Sequence, residues 1–198
     1  MSAIPANRHP AYPVDEMFPA RWSPRAFSDA PISEAQMLSL LEAARWAPSA
    51  SNIQPWRLVW GLRGDAGFAT IFDSLSAGNQ VWAGKAAALV AVGSKSTRTT
   101  SSGEEVPNPT HAFDTGAAWA SLAFQAHLSG FVTHGMGGFD KDKLSGALNV
   151  PQGHGLHAVI AIGHPGDPAS LPEDLRNREV PSQRKALSAI AARGAFPV

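Results

Sequence analysis

Cysteine is absent from this chain of 198 residues, and net charge is absent as well, because 16 basic residues balance 16 acidic ones. Without thiols the protein has no disulfides, no thiolate catalysis and no cysteine-ligated zinc or iron–sulfur centre. Without net charge it has no long-range field that would draw it to nucleic acid or to an anionic membrane. Any anion-binding site must therefore be local.

Long hydrophobic runs are also missing. No segment approaches the ~18 apolar residues of a membrane span, and the N-terminus MSAIPANRHPAYPVDEMF has no basic start followed by an apolar run. We therefore expect a cytoplasmic protein without a membrane or nucleic-acid partner. The length and the 44% apolar content favour a single domain over residues 1–198, with a proline-rich N-terminal arm at residues 1–12.

The spacing of apolar residues predicts several helices. Ser33 and Gln36 have the spacing of a capping box, and apolar residues follow at helical intervals until Pro48. Residues 114–129 are apolar around nearly the whole helical wheel, and Gly130 stands where a C-terminal cap is expected, which predicts a core helix. Shorter helical segments are predicted at residues 13–18, 68–75 and 140–149.

Strands are predicted at residues 57–60, 86–92 and 157–162. The run AAALVAV at 86–92 has strand length and no polar residue, so we expect a central strand that is buried on both faces and ends at Gly93. Residues 94–110 are rich in Ser, Thr, Gly, Pro and charge without a period, which predicts a long exposed loop. Such loops are functional lids or disordered.

Two polar stretches invite a functional interpretation. RWSPRAF, residues 21–27, places two guanidiniums and a hydroxyl where they could bind a phosphate, although paired arginines also occur on ordinary solvated surface. PSASNIQPW, residues 48–56, is either a polar turn with a buried Trp56 or a surface for a flat heterocycle. The second interpretation uses the Asn52 and Gln54 amides, which donate and accept hydrogen bonds at once.

Other motifs are excluded by their spacing. HGMGG, residues 134–138, lacks the G-x-G-x-x-G spacing of a dinucleotide fingerprint. His154 and His157 lie across a loop-to-strand junction without a helical Glu base, so we predict no metal site. No G-x-S-x-G elbow is present either, and we predict no catalytic side chain of the hydrolase kind.

Taken in order, the segments RWSPRAF, PSASNIQPW, AALVAV, FDTGAAWASLAFQAH, GMGGF, AVIAIGHP and QRKALSAI resemble the FMN-dependent nitroreductase family. The resemblance extends from about Arg21 to Phe196, and its most specific parts are R-x-S-x-R and P-S-x-x-N-x-Q-P-W. It implies an α+β fold with a mostly antiparallel central sheet flanked by helices. It also implies a homodimer that holds FMN at the subunit interface.

The resemblance carries the family's flavin contacts over to matching positions of this sequence. Arg21, Ser23 and Arg25 would hold the phosphate, the ribityl chain and the polar edge of the ring, and Trp22 would contribute only its backbone. Arg184 and Lys185 would complete the phosphate site, so that Arg21, Arg25 and Arg184 surround one dianion. The other implied cofactor-binding residues are Pro48, Ser49, Ala50, Asn52 and Gln54 in the loop facing the partner's flavin, Asn79 near the ring, and the backbone of Gly135, Met136, Gly137 and Gly138.

The activity implied by the resemblance belongs to the cofactor, with no catalytic side chain. NADH or NADPH would reduce FMN, and a nitroaromatic, a quinone or another flat acceptor would then take the electrons in a ping-pong reaction. Two alternatives stay open. The protein is a specialised flavoenzyme of the same fold that performs dehydrogenation, dehalogenation or cleavage, or it is an FMN-binding module without turnover.

Overall fold

The computed structural model describes residues 4–197 of the chain. Residues 4–12 contain no helix or strand. The helices of the described part are α1 (Met17–Ala20), α2 (Glu34–Arg45), α3 (Ala66–Phe72), α4 (Ala77–Ala83), α5 (His111–Leu128), α6 (Lys141–Ala147) and α7 (Glu173–Arg176), with short 3₁₀ turns at Ala50–Asn52, Pro168–Ser170 and Leu187–Ala189.

The strands form one central sheet and a separate hairpin. In the described residues they are β1 (Trp56–Leu62), β2 (Ala88–Lys95), β3 (Thr97–Thr99), β4 (Glu105–Pro107), β5 (Val132–Met136) and β6 (His154–Gly163). The central sheet has the order β1-β2-β6-β5, and every pair in it is antiparallel. Strands β3 and β4 pair only with each other. The predicted α+β fold is therefore confirmed.

Strand β2 divides two hydrophobic cores. Its side chains alternate between the faces of the sheet, and Leu89 and Ala91 join one core whereas Val90 and Val92 join the other. The first core takes residues from α3, α4 and α6, and the second takes residues from α2 and α5. Every β2 residue except Lys95 is buried, so the sequence prediction of a strand covered on both faces is confirmed.

The capping box of α2 is present as predicted. The Ser33 hydroxyl accepts the Gln36 N–H at 3.2 Å, and the Gln36 side-chain oxygen accepts the Ser33 N–H at 2.9 Å. These bonds satisfy two backbone donors that a helix start otherwise leaves free. The helix then buries Met37, Leu40 and Ala44 completely, which positions the chain that continues toward Pro48.

The predicted long loop at residues 94–110 is wrong. Strand β2 continues through Gly93 to Lys95, and the hairpin β3–β4 follows it. The register of β2 against β6 shifts between Val92 and Gly93, and a Cβ at Gly93 would lie 2.7 Å from the Gly155 carbonyl oxygen. Gly93 is thus needed for close approach of two strands and does not end β2.

Several predicted segments have different bounds. The turn expected at residues 13–18 is the helix α1 at Met17–Ala20, and α4 was not predicted at all because its small and polar residues give no clear period. Gly135 and Met136 do not belong to a turn, since both lie in β5, and only Gly137 and Gly138 follow the strand. Pairing with β6 overrides the glycine signal here.

The capping box provides a test of local stability. Ser33→Ala removes the acceptor for the Gln36 N–H and should lower the free energy of unfolding by about 1 kcal/mol. Ser39→Ala on the exposed face of α2 is the matched control and should leave the value unchanged or raise it by up to about 0.5 kcal/mol. Urea unfolding followed by circular dichroism measures both, and equal stability of the two variants would contradict the role given to Ser33.

Candidate functional site

The segment from Arg21 to Phe27 follows α1 and contains no helix or strand, apart from a single bridge at Phe27. Phe27 fixes its end, because Phe27 bridges Pro165 and a Cβ on Gly166 would lie 2.4 Å from the Phe27 carbonyl carbon. At the start, the Arg21 guanidinium donates to the Trp22 carbonyl at 3.1 Å and lies 3.5 Å from the Ser23 hydroxyl. Arg21 and Ser23 are therefore brought together, as predicted from the R-x-S spacing.

Three arginines meet at this place, and we call Arg8, Arg21 and Arg184 the arginine cluster. Arg8 donates to the Arg21 carbonyl at 2.7 Å and to the Ser182 carbonyl at 2.9 Å, and Arg184 donates to the Ser182 hydroxyl at 3.2 Å. Burial lowers the pKa of Arg21, and the Arg184 charge lowers it further. Burial also lowers the pKa of Arg8, followed by the charges of Arg184 and Arg21. Within residues 4–197, no carboxylate forms an ion pair with any of the three. Uncompensated guanidiniums in one place are suited to bind a phosphate.

Arg25 is not a member of the arginine cluster. Its guanidinium Nη1 lies 3.6 Å from Oε2 of Glu179, whose side chain is only 1% exposed. The other oxygen, Oε1, accepts the backbone N–H of Arg25 at 2.5 Å and of Ala26 at 2.8 Å. The structure thus pairs Arg25 with its own carboxylate and places Arg8 against Arg21. That Arg21, Arg25 and Arg184 surround one dianion stays a prediction.

A second group of predicted residues meets beyond Arg25. The Asn79 amide donates to the Gly138 carbonyl at 2.9 Å, and a Cβ on Gly138 would lie 2.9 Å from the same amide nitrogen. Arg25, Asn79 and Trp82 line an open cavity of about 450 Å³. A Cβ on Gly137 would meet no atom within 4 Å, so its backbone is open to a neighbour. This cavity could hold the flat part of a ligand.

His134 connects the segment 21–27 to helix α4. Its Nδ1 lies 3.0 Å from the Pro24 carbonyl oxygen, and its ring packs at 4.7 Å against Trp82. Burial lowers the pKa of His134, although the hydrogen bond to Pro24 opposes this shift. A neutral imidazole that donates from Nδ1 fits these surroundings. The ring fixes the backbone that precedes Arg25.

The loop at residues 48–54 is exposed and strained. Ser51, Asn52 and Gln54 all have positive φ, between 50° and 54°, a conformation that non-glycine residues adopt rarely. Two hydrogen bonds fix the loop to the rest of the chain. The Asp114 carboxylate accepts the Ala50 N–H at 3.3 Å, and the Pro55 carbonyl accepts the Lys95 N–H at 2.9 Å. Asn52 and Gln54 are both exposed on this fixed loop, and the Gln54 amide donates to the Asn52 carbonyl at 3.2 Å.

Helix α5 separates this loop from the arginine cluster. Asp114, which holds the loop, lies in the first turn of α5. His127 lies near the other end of α5, where it lines a second cavity together with Arg21. Thirteen residues of α-helix span roughly 20 Å. The structure therefore does not place the loop and the cluster around one phosphate within one chain. Lys185 is exposed in the C-terminal tail beside Arg184.

Sequence reasoning missed Arg8, Glu179 and Asp114. Arg8 stands alone in a proline-rich arm, and Glu179 stands in a polar tail, so neither carries a local signal. Asp114 was assigned only to a helix start. Residues 4–197 contain no cluster of three or more potential metal ligands. None of the helices in these residues is long and apolar enough to cross a membrane.

Comparison with known proteins identifies the family. The sequence profile described as the nitroreductase family matches residues 19–73 and 62–164, and the chain belongs to this family. An uncharacterised 15.4 kDa protein of Mycolicibacterium smegmatis is 34% identical over 148 residues, which are 70% of this chain and 95% of that protein. A nitrobenzene nitroreductase of Ectopseudomonas oleovorans is 43% identical over 44 residues, which are 22% of this chain and 19% of that protein.

Solved structures share the fold. A crystal structure of an oxidoreductase containing FMN is 47% identical in sequence, has a TM-score of 0.93 and aligns over 96% of both chains. A nitroreductase family protein of Clostridium difficile 630 is 19% identical, has a TM-score of 0.67 and aligns over 89% of this chain and 95% of that one. The fold of the central sheet and its helices is therefore that of the nitroreductase family.

Glu179 provides a test of how the segment from Arg21 to Phe27 is held. Glu179→Ala leaves the N–H groups of Arg25 and Ala26 without an acceptor, and each buried unsatisfied amide costs about 1–3 kcal/mol of unfolding free energy. Glu179→Gln keeps an amide oxygen for both donors and should lose clearly less. Glu173→Gln on exposed α7 is the control and should be neutral. Chemical unfolding compares the three variants, and an Ala variant as stable as the Gln variant would refute the hydrogen-bonding role.

Proposed function

We propose that this protein is an FMN-dependent oxidoreductase that uses NADH or NADPH to reduce a flat acceptor such as a nitroaromatic or a quinone. The observation that carries the proposal is the arginine cluster, in which no carboxylate of residues 4–197 forms an ion pair with the three guanidiniums and of which Arg21 lines a cavity of about 550 Å³. This donor set fits the dianionic phosphate of FMN. Membership of the nitroreductase family and 47% identity to an oxidoreductase containing FMN support it.

The residues divide between the two ends of the cofactor. Arg21, Ser23 and Arg184 hold the phosphate and the ribityl chain, with Lys185 and the Trp22 backbone at the edge of the site. Arg25 and Asn79 face the polar edge of the ring. The backbone of β5 and its end, from Gly135 through Met136 and Gly137 to Gly138, would bind the central ring, because glycine lets the main chain approach a ligand.

The bound flavin supplies the redox chemistry, taking a hydride from the nicotinamide and giving electrons to the acceptor. The chain's own residues bind and orient the reactants, and no catalytic side chain is required. Arg25 places a positive charge at the polar edge of the ring, and Glu179 holds that charge in place. Since donor and acceptor use one open cavity in turn, the kinetics are ping-pong.

The complete site needs a second copy of the chain. The loop bearing Pro48, Ser49, Ala50, Asn52 and Gln54 lies about 20 Å from the arginine cluster along α5, so it serves the flavin held by the partner in a homodimer. Large apolar side chains are exposed around the chain, among them Trp46 (74%), Phe113 (83%) and Phe196 (91%). A second copy is the partner that would cover them.

The central test of the function is anaerobic reduction. The purified protein should be yellow, with one FMN released per chain on denaturation, and NADH or NADPH should bleach the flavin spectrum. Addition of a nitroaromatic or a quinone should restore it, and initial rates should give parallel double-reciprocal lines. A colourless protein that does not bind added FMN would contradict the proposed function. A flavin that stays yellow with both nucleotides would identify a non-catalytic binding module instead.

The dimer is tested by one matched pair of variants. Asn52 and Asn149 are both exposed and both have positive φ, 54° and 50°, so replacement by Ala strains each backbone equally. Only Asn52→Ala should weaken FMN binding, by about tenfold for one lost polar contact. Flavin titration and light scattering on the same samples measure this. A stable monomer that binds FMN as tightly as any dimer would contradict the shared site.

A further inference from the structure

Arg8 joins the two ends of the chain at the arginine cluster. Its side chain is 7% exposed although it belongs to an arm without helix or strand. The guanidinium Nη1 donates to the Arg21 carbonyl at 2.7 Å and to the Pro19 carbonyl at 3.1 Å, and Nε donates to the Ser182 carbonyl at 2.9 Å. One side chain therefore fixes the backbone at Arg21 and, two residues before Arg184, the backbone of the C-terminal tail.

Neighbouring contacts strengthen this junction. The Asn7 amide donates to the Pro181 carbonyl at 2.7 Å, so two consecutive residues of the arm bind two consecutive residues of the tail. The Arg184 guanidinium in turn donates to the Ser182 hydroxyl at 3.2 Å and to the Gln183 carbonyl at 3.2 Å. The arm thus holds the tail segment from which Arg184 extends.

The electrostatics distinguish Arg8 from an ordinary structural arginine. Arg63 also donates to two backbone carbonyls, those of Lys85 at 2.8 Å and Asp29 at 2.5 Å, but it has the Asp29 carboxylate as a counter-charge at 3.8 Å. Arg8 is more deeply buried, and the nearby charges that act on it, Arg184 and Arg21, are both positive. A buried cation among like charges is unfavourable unless an anion is bound there.

We propose that Arg8 is a positioning residue of the cofactor site, which holds Arg21 and Arg184 in place through their backbones and adds a third positive charge for the phosphate group of the ligand. This inference rests on the proposed function and extends it to a residue of the N-terminal arm. Because Nε and Nη1 donate to carbonyls, Nη2 is the nitrogen that remains to bind the phosphate. The N-terminal arm is then part of the binding site.

The experiment compares Arg8→Gln, Arg8→Lys and the control Arg63→Gln for binding of FMN and of riboflavin, which lacks the phosphate. Arg8→Gln should weaken FMN binding at least about tenfold and leave riboflavin affinity within about twofold, because only the charge-assisted contacts to the phosphate are lost. Arg8→Lys should lie between, since it keeps the charge but not the planar fork. Arg63→Gln should lose stability without changing the affinity for either flavin.

Two other results of the flavin titrations decide against the proposal. Equal losses for FMN and riboflavin would show that Arg8 only maintains the fold, and unchanged FMN affinity in Arg8→Gln would overturn it directly. If the wild-type protein binds no flavin, the proposed function fails, and inorganic phosphate becomes the probe. The Tm is then measured in phosphate and in chloride at equal ionic strength. If phosphate raises the Tm, and raises it less in Arg8→Gln than in Arg63→Gln, the result would still support a role of Arg8 in phosphate binding. The absence of that rise in the wild type, or an equal rise in both variants, would refute it.

Discussion

The antiparallel pairing of β2 with β6 is the constraint on which the rest of the structure depends. Seven of the eight residues of β2 are buried, and the pair separates the two hydrophobic cores. Segments that bear polar groups are attached at the ends of this pair. The Pro55 carbonyl accepts the Lys95 N–H at one end, and Phe27 packs on Gly163 at the other. Small errors in this pairing would move both segments, because a packed core does not deform gradually.

The cationic site is built differently, from parts of the chain that contribute little to either core. Arg8 comes from the arm, Arg21 from the segment after α1 and Arg184 from the tail. The repulsion between the three charges opposes folding of the arginine cluster. The hydrogen bonds that Arg8 donates to backbone carbonyls offset this repulsion. Binding of an anion would stabilise the folded state further, since only the folded chain brings the three charges together. Stability and ligand binding are linked at this place.

Much of the framework could be predicted from the sequence, because its signals are local. The capping box of α2, the glycine cap after α5 and the uninterrupted run that became β2 all depend on a few consecutive residues. The hairpin β3–β4 and the whole of strand β5, which includes Gly135 and Met136, were not predicted. In both, the partner strand decides the conformation, and strand preference depends strongly on such context.

For the candidate site, the sequence by itself determined which chemical groups are available: guanidiniums at residues 21, 25 and 184, amides at 52, 54 and 79, and glycines at 137 and 138. Only the tertiary structure decided how they are grouped. It paired Arg25 with Glu179, brought Arg8 across 174 positions of sequence to Ser182, and placed helix α5 between the loop and the arginine cluster. Sequence spacing cannot give these relations, because ion pairs and long-range hydrogen bonds depend on distances that the packing of both cores sets.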